Sequence, residues 1–333
     1  MDAAGAAAVV IPSWNSLQLL PACLDSVRAQ APGLELMVVD NGSVDGSVEY
    51  LREQGVPHLA LPGNVGFAAA VNLGVARTAA AAILVLNVDT VLEPGCVDAL
   101  LAALDADPRR GGVQPRILQL EGDPAARPEP LAARLYSSGQ ALSADGRAYE
   151  RGAGEPQATV PATGEEIFGV CGAACLLRRQ LFAGLGGYDE SYFAFYEDVD
   201  LNVRARIAGW RFAYVPEAVV WHLGNASWQA GFERPGAENA RLVARNRLAT
   251  QVKFMPPASL PRIAAVEAGA LARAARRRRL RATLAGKLAA LRWLPRLLRE
   301  RRRLRLEGDP SLARAWLGVP SRAGGAAPAP RGR

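Results

Sequence analysis

The run Ala81-Ala82-Ile83-Leu84-Val85-Leu86-Asn87-Val88-Asp89-Thr90 limits what this chain can fold into more than any other stretch. Its six apolar residues stop at Asn87, and a carboxylate, Asp89, follows two places later. A short unbroken apolar run reads as a strand buried on both faces, as in a parallel sheet. Open α/β sheets bind ligands beyond the carboxyl ends of such strands. A lone acid there suits a hard divalent cation, which prefers oxygen donors. The same acid can instead close a turn or cap a helix starting near Pro94. This stretch alone leaves both roles open.

The flanking segments repeat one alternation. Ala6 to Ile11 is another buried strand, ended by Pro12, and Ser13-Trp14-Asn15 form a polar turn. Leu19, Leu20, Cys23, Leu24 and Val27 keep helical spacing up to Pro32-Gly33. Leu34 to Val39 is the next strand, and a short helix then carries Val48, Leu51 and Arg52. This β-α-β-α order predicts a mostly parallel sheet with right-handed crossovers. The segment Asp40-Asn41-Gly42-Ser43-Val44-Asp45-Gly46-Ser47 can aim amides, hydroxyls and backbone N–H groups at a sugar or base, or serve as a plain polar turn. No Gly-x-Gly-x-x-Gly follows the first strand, so a dinucleotide fingerprint is absent. Asn64-Val65-Gly66-Phe67 runs into an Ala-rich helix through Asn72 to Gly74. Small residues there admit a diphosphate to the helix N-terminus, and they equally admit tight packing.

Beyond a helix expected from Gly95 to Ala106 the pattern dissolves. Residues 121–166 read as a long insertion with short strands, of the kind that lines active sites. Ile167 to Leu177 reads as a strand, and Trp210 to Pro216 and Ala218 to Leu223 as two closing strands. Between them, Tyr192, Phe193, Phe195 and Tyr196 lead into Glu197, Asp198 and Asp200. A helix starts there, with Leu201, Ala205 and Ala208 inward and Gly209 as its stop. Acids in a first turn are ordinary dipole partners, but a dry aromatic wall can also raise a carboxyl toward useful base chemistry. Asp200 and Arg204, four apart, are expected to pair on the surface. The two histidines are His58, with no assigned role, and His222, at a strand end.

Composition divides the chain. With 333 residues, 50% hydrophobic and 21% charged, it suits one large or two modest domains. The four scattered cysteines fit a reduced intracellular protein. No basic n-region opens the chain, and no apolar run approaches the roughly 18 to 20 residues of a span, so a cytoplasmic protein is expected, soluble or attached to the inner membrane face. Arg262 to Leu306 holds 15 basic and 2 acidic residues, or +13 of a total of +7, leaving the rest at −6. Within it Leu280, Leu284, Leu288, Leu291 and Leu298 recur at helical spacing among Arg276 to Arg279, Arg281, Lys287, Arg292, Arg296 and Arg299, with a break at Pro295. An apolar stripe beside a basic face suits a helix lying on an anionic membrane, and it also suits a helix packed on the body with its charges in water. Nucleic-acid binding is not expected, because no fold signature accompanies the charge. The expected organisation is a catalytic domain over 1–225, a basic helical region over 226–317 and a disordered tail over 318–333.

Together these blocks resemble a known family. Val10-Ile11-Pro12-Ser13-Trp14-Asn15, Val39 to Ser47, Asn64-Val65-Gly66-Phe67, Leu86-Asn87-Val88-Asp89 and Tyr196-Glu197-Asp198-Val199-Asp200-Leu201 look like the inverting family 2 glycosyltransferases with the GT-A fold, a Rossmann-like, mostly parallel sheet flanked by helices. The likeness is closer to bacterial rhamnosyltransferase-like members, which often carry Asn-Pro-Asp where others carry Asp-x-Asp. It covers roughly residues 8 to 225. It implies that Asp40 binds the pyrimidine, with Pro12 and Ser13 beside the nucleoside and Asn41, Gly42 and Ser43 in the same turn. Asn64, Gly66, Asn72 and Asn87 then belong to the donor side. Asp89 and His222 bind Mg²⁺ or Mn²⁺, and Asp198, with Glu197 beside it, is the general base. Gly172, Ala173, Tyr196 and Trp221 fall on the acceptor side. Asn87 replaces the first acid of the usual motif, which weakens metal affinity and lets the cation arrive with the diphosphate. The implied partners are a nucleotide-diphospho-sugar donor, such as dTDP-rhamnose or a UDP-sugar, and a glycan or lipid-linked glycan acceptor of the bacterial envelope. A binding protein that keeps the fold without turnover, and an adaptor acting through the basic tail, are the other readings.

Overall fold

Runs free of charge become the central strands. The computed structural model describes residues 7–30, 33–122, 129–157, 163–224 and 235–318. Strand β1 (Ala7–Ser13) and strand β4 (Ala82–Leu86) pair in parallel at the middle of the sheet, and every residue of β4 is buried. On the other side of β1 lie β2 (Glu35–Asp40) and β3 (His58–Ala60), also parallel. The crossovers are the helices α1 (Leu20–Arg28), α2 (Ser47–Glu53) and α3 (Phe67–Val75). Beyond β4 come β11 (Ala174–Arg178), β6 (Arg110–Gln119), β12 (Arg211–His222) and β10 (Glu166–Ile167) in that order. Strand β11 runs antiparallel to both its neighbours, β6 and β12 are parallel to each other, and the short β5 (Thr90–Leu92) pairs antiparallel with β12. One face of the sheet packs against α1 and α4 (Cys96–Asp105) through Leu20, Leu24, Leu100 and Leu104. The opposite face holds Val71, Leu181, Leu201 and Ala205, from α3, α5 (Arg179–Gly184) and α6 (Glu197–Ile207). This is the α/β layering expected from the alternation of elements.

Two strand expectations change in detail. Ile167 to Leu177 is not one strand: β10 ends at Ile167, β11 starts at Ala174, and residues 168–173 cross the end of the sheet between them. The two closing strands are one, β12, whose register against β6 shifts between Val215 and Val219. Pro216 sits at that shift, where a residue without an N–H disrupts no ladder bond. The insertion contributes β7 (Leu135–Ser137), which joins the sheet on β6, and a separate hairpin of β8 (Gln140–Leu142) and β9 (Ala148–Glu150). Ala6, residues 123–128 and 158–162 of the insertion, the expected boundary near 225 and the tail from 319 onward lie outside the described residues.

The basic region is helical: α7 (Pro235–Phe254), α8 (Leu260–Arg276), α9 (Leu280–Arg292), α10 (Leu294–Glu307) and α11 (Pro310–Arg314). The break expected at Pro295 falls between α9 and α10, with the proline in the first turn of α10, where its missing N–H costs nothing. The leucine stripe does not face the body. Thr283, Gly286, Ala290, Leu297 and Leu304 turn inward, and Gly286 lets α9 approach the Arg241 backbone of α7 closely. Leu284, Leu288, Leu291 and Leu298 stand 41%, 61%, 53% and 51% exposed. Among the described residues no helix is long and apolar enough to cross a membrane.

Candidate active site

The carboxyl ends of β1 and β4, the 168–173 crossing, the start of α6 and the β8–β9 hairpin surround a cavity of about 390 Å³. Pro12, Ser13, Asn41, Asn64 and Gly66 line one part of it. Gly66 has φ +93°, and a Cβ there would stand 2.6 Å from the Phe193 carbonyl oxygen, so only glycine fits this approach. The Asn41 amide ties the turn together: its Nδ2 donates to the Gly66 carbonyl at 3.2 Å, and its Oδ1 accepts from the Val65 N–H at 2.8 Å. Asp40 lies beneath, fully buried. Its Oδ1 accepts from the Ser43 N–H at 2.8 Å, while its Oδ2 has no hydrogen-bond partner among the described residues. The buried Ser13 hydroxyl likewise has no hydrogen-bond partner among the described residues.

At the end of β4 the chain turns sharply, held by the Thr90 hydroxyl donating to the Asn87 carbonyl at 2.6 Å. The turn brings Asp89 to His222 of β12, with Oδ1 and Nε2 3.2 Å apart. The Asn87 amide nitrogen lies 3.4 Å from the same ring nitrogen. Tyr136, from the insertion, stands edge-on to the His222 ring at 4.4 Å. Among the described residues no third histidine, cysteine or carboxylate completes a metal cluster with this pair. An oxygen and an imidazole nitrogen that converge at a cavity wall fit a divalent cation whose other ligands come from a diphosphate.

Across the cavity, two adjacent acids have unlike surroundings. Asp198 Oδ2 accepts from the Gly172 N–H at 2.8 Å and from Gln140 Nε2 at 2.7 Å, and its Oδ1 accepts from the Val199 N–H at 2.7 Å. Glu197 is buried, and its Oε2 has no hydrogen-bond partner among the described residues. Burial raises both carboxyls, but in Asp198 the hydrogen bonds oppose that rise, whereas in Glu197 the Asp198 charge adds to it. Of the two, Glu197 is therefore held more strongly toward its neutral form, and Asp198 has the donors that favour a carboxylate.

The loop before α6 is strained. Phe193, Phe195 and Tyr196 all have positive φ, at 65°, 68° and 72°. Such conformations cost about 1 to 3 kcal/mol each outside glycine. The C-terminal helices hold them: Asn246 Nδ2, on α7, donates to the carbonyls of Tyr192, Ala194 and Phe195 at 2.9, 2.8 and 2.7 Å. Arg245 adds a bond to the Tyr192 carbonyl at 2.7 Å. On the other side the Phe193 carbonyl accepts from the Ala68 N–H at the start of α3, so this loop joins the Gly66 turn, the two acids and the C-terminal region.

Of the residues singled out in the sequence, the cavity gathers Pro12, Ser13, Asn41, Asn64, Gly66, Asn87, Asp89, Gly172, Ala173, Tyr196, Glu197, Asp198 and His222. Asp40, Gly42, Ser43, Asn72 and Trp221 do not line it: Asp40 is buried behind the wall, and Gly42 and Ser43 lie in the turn that follows it. Both Asn72 amide atoms bind the Tyr188 backbone, an arrangement that packs α3 against the following loop. Trp221 precedes His222 on a strand, so the two point to opposite faces, and the indole N–H donates to Glu93 at 2.7 Å. Asp200 is corrected as well: it pairs with Arg204 as expected, but it is fully buried and also binds Lys253. Tyr136, Gln140 and Glu150, from the insertion, join the cavity without having been singled out. No periodic pattern marks them, and only the long irregular insertion itself signalled a role.

A family model, Glycosyl transferase family 2, matches residues 8–186. The chain is 33% identical over 218 residues to the N-acetylglucosaminyl-diphospho-decaprenol L-rhamnosyltransferase of Mycobacterium tuberculosis (strain ATCC 25618 / H37Rv), an overlap of 59% of this chain and 68% of that one. It is 29% identical over 226 residues to an N-acetylglucosaminyltransferase of Mesorhizobium japonicum, covering 63% of this chain and 50% of that one. The crystal structure of GalNAc-T7 with UDP, GalNAc and Mn²⁺ superposes with a TM-score of 0.53 at 17% identity, over 72% of this chain and 47% of that one. At that identity the likeness is one of fold. The molecule is a glycosyltransferase with the GT-A fold. It belongs to glycosyl transferase family 2.

Proposed function

We propose that this enzyme moves a sugar from a nucleoside diphosphate to an acceptor hydroxyl with inversion, and that Asp198 is its general base. The observation that carries this reading is the triply hydrogen-bonded Asp198 carboxylate opening onto the same cavity as Asp89 and His222. The unpartnered Asp40 Oδ2 and Ser13 hydroxyl beneath the Asn41 turn support a nucleobase subsite, since a buried polar atom without a partner is costly unless a ligand satisfies it. Asn64 and Gly66 line the same wall of the cavity, which supports a ribose and diphosphate subsite there. Asp89 and His222 would hold Mg²⁺ or Mn²⁺. When bound, that cation supplies positive charge against the leaving diphosphate. Asp198 removes the proton of the acceptor hydroxyl as it attacks the anomeric carbon from the opposite face, so no protein nucleophile is required. The name of the mycobacterial relative supports a rhamnosyl donor and a lipid-linked N-acetylglucosaminyl acceptor.

An experiment on the donor side tests this. Asp89→Ala is expected to lose transfer at any Mg²⁺ concentration, and EDTA is expected to abolish transfer by the native enzyme. Full turnover in EDTA would remove the metal from the reaction. Titration of dTDP and UDP with Mn²⁺, followed by thermal shift, then identifies the base through its stabilisation of the folded state.

A lipid-linked acceptor lies at a membrane surface, and the outward leucines support contact with one. Leu284, Leu288, Leu291 and Leu298 lie among exposed Arg276 to Arg279, Arg281, Arg292 and Arg299, so apolar contact and attraction to anionic lipid act on one face. The protein is expected to sediment with anionic vesicles at low salt and to leave them as salt rises. Equal sedimentation with neutral vesicles would contradict the electrostatic part.

A further inference from the structure

We propose that Glu150 is a specificity-determining residue of the acceptor site, accepting a hydrogen bond from the hydroxyl next to the one that Asp198 deprotonates. This rests on the reading of Asp198 as the base.

Gln140 and Glu150 face each other across the β8–β9 hairpin. Gln140 Nε2 donates to Asp198 Oδ2 at 2.7 Å and to Glu150 Oε1 at 3.3 Å, so one amide nitrogen joins the two carboxylates. Their oxygens therefore lie within about 6 Å of each other. The amide cannot turn over. The Val170 N–H donates to Asn202 Oδ1 at 3.2 Å, which fixes the Asn202 amide. Asn202 Nδ2 then donates to Gln140 Oε1 at 2.8 Å and leaves the Gln140 NH₂ to the acids. A backbone N–H thus sets the direction of the whole chain of bonds.

Glu150 is not accounted for by its place in the hairpin. The Ser137 hydroxyl donates to Oε2 at 2.6 Å and Gln140 to Oε1, but a carboxylate has about four acceptor sites, and Glu150 lines the cavity. The Cys171 thiol also hydrogen-bonds it, but these donors leave acceptor capacity on a second acid beside Asp198, which a further donor from a ligand would stabilise. Neighbouring hydroxyls on a sugar ring offer two donors at the right spacing, one for each carboxylate. The groups that face Glu150 are Asp198, the Cys171 thiol and the Tyr136 phenol. Burial first, and the Asp198 charge next, push its carboxyl up to about 7. A hydroxyl that donates to it favours the charged form, so acceptor binding should weaken as pH falls below that value.

The test uses the full chain with dTDP-rhamnose and N-acetylglucosaminyl-diphospho-decaprenol. Glu150→Gln should raise the acceptor KM about 10- to 100-fold, the range for a lost hydrogen bond to a charged group, with kcat within about threefold. The dissociation constant for dTDP should not move, and the rise of acceptor KM below pH 7 should flatten. Acceptors lacking one ring hydroxyl at a time provide a readout on the wild type that needs no variant. One analogue should give no product, because it lacks the nucleophile. Another should raise the wild-type KM but raise that of Glu150→Gln no further, the non-additivity of two partners in one bond. An unchanged acceptor KM in Glu150→Gln, or an equal loss of dTDP affinity, overturns the assignment. No turnover by the wild type with this pair overturns the proposed reaction itself, which separates the two failures.

Discussion

Asp198→Asn is expected to bind the nucleoside diphosphate as the wild type does and to turn over about 10² to 10⁴ times more slowly, the usual worth of a positioned general base. The substitution is close to isosteric, and one amide oxygen can still accept from the Gly172 N–H and from Gln140, so the change is chiefly one of basicity. Glu197→Gln is expected to cost far less. Glu197 lacks the donors that stabilise a carboxylate, and burial together with the Asp198 charge holds it well above the usual range. In the native enzyme kcat should fall as pH falls, because the base must be ionised to accept a proton. Burial places that limb above the ordinary aspartate range. Product formation on a chosen acceptor, paired with donor titration by calorimetry, reads both quantities. A dead Glu197→Gln beside a fully active Asp198→Asn would transfer the role to Glu197.

Features carried by local pattern were legible in the sequence. The unbroken run before Asn87 became β4, the central strand, and Asp89 stands at its carboxyl end. The first turn of α6 showed Glu197 and Asp198 together, and helical spacing put Leu201 and Ala205 in the core, whereas Ala208, also expected inward, is exposed just past the end of α6. What escaped depends on contacts between segments far apart in the chain. Gln140 and Glu150 sit in short strands whose burial is set by the body they pack on, so neither a period of two nor one of 3.6 marks them. Asn246 lies between two arginines on a basic helix, where nothing local shows that it binds three carbonyls of a strained loop. The tail reverses the usual rule. Gly286 makes the close approach to α7 and Ala290 is buried beside it, while Leu284, Leu288, Leu291 and Leu298 are left outside.

Asp200 shows how far tertiary context can overturn an i,i+4 reading, and it carries the largest expected effect on stability. The pair with Arg204 has an N–O distance of 2.6 Å, and Lys253 Nζ, from α7, approaches the other carboxylate oxygen at 2.7 Å. Lys253 in turn meets Glu300 of α10 at 2.8 Å, so one buried network ties α6 to two C-terminal helices. Burial alone would raise the Asp200 carboxyl; Lys253 and Arg204 more than offset it and hold the group below its usual value. A folded-state pKa lower than the unfolded one means stability that is present above about pH 4 and lost as pH falls through the folded value. Asp200→Asn removes one partner and leaves two buried cations short of charge, a change that costs about 3 to 5 kcal/mol in comparable pairs. The expected result is a urea midpoint lowered by that free energy divided by the slope, with the slope unchanged, and a weaker acid dependence of stability. Turnover per folded molecule should stay within a few-fold of wild type, because Asp200 faces Lys253 and Arg204 rather than the cavity. A midpoint within experimental error of wild type would mean that Arg204 and Lys253 are satisfied by the Leu185 and Gly187 carbonyls and Glu300 alone. The C-terminal helices would then be held to the catalytic domain by packing of Leu297 and Ala249 around Tyr192, not by charge.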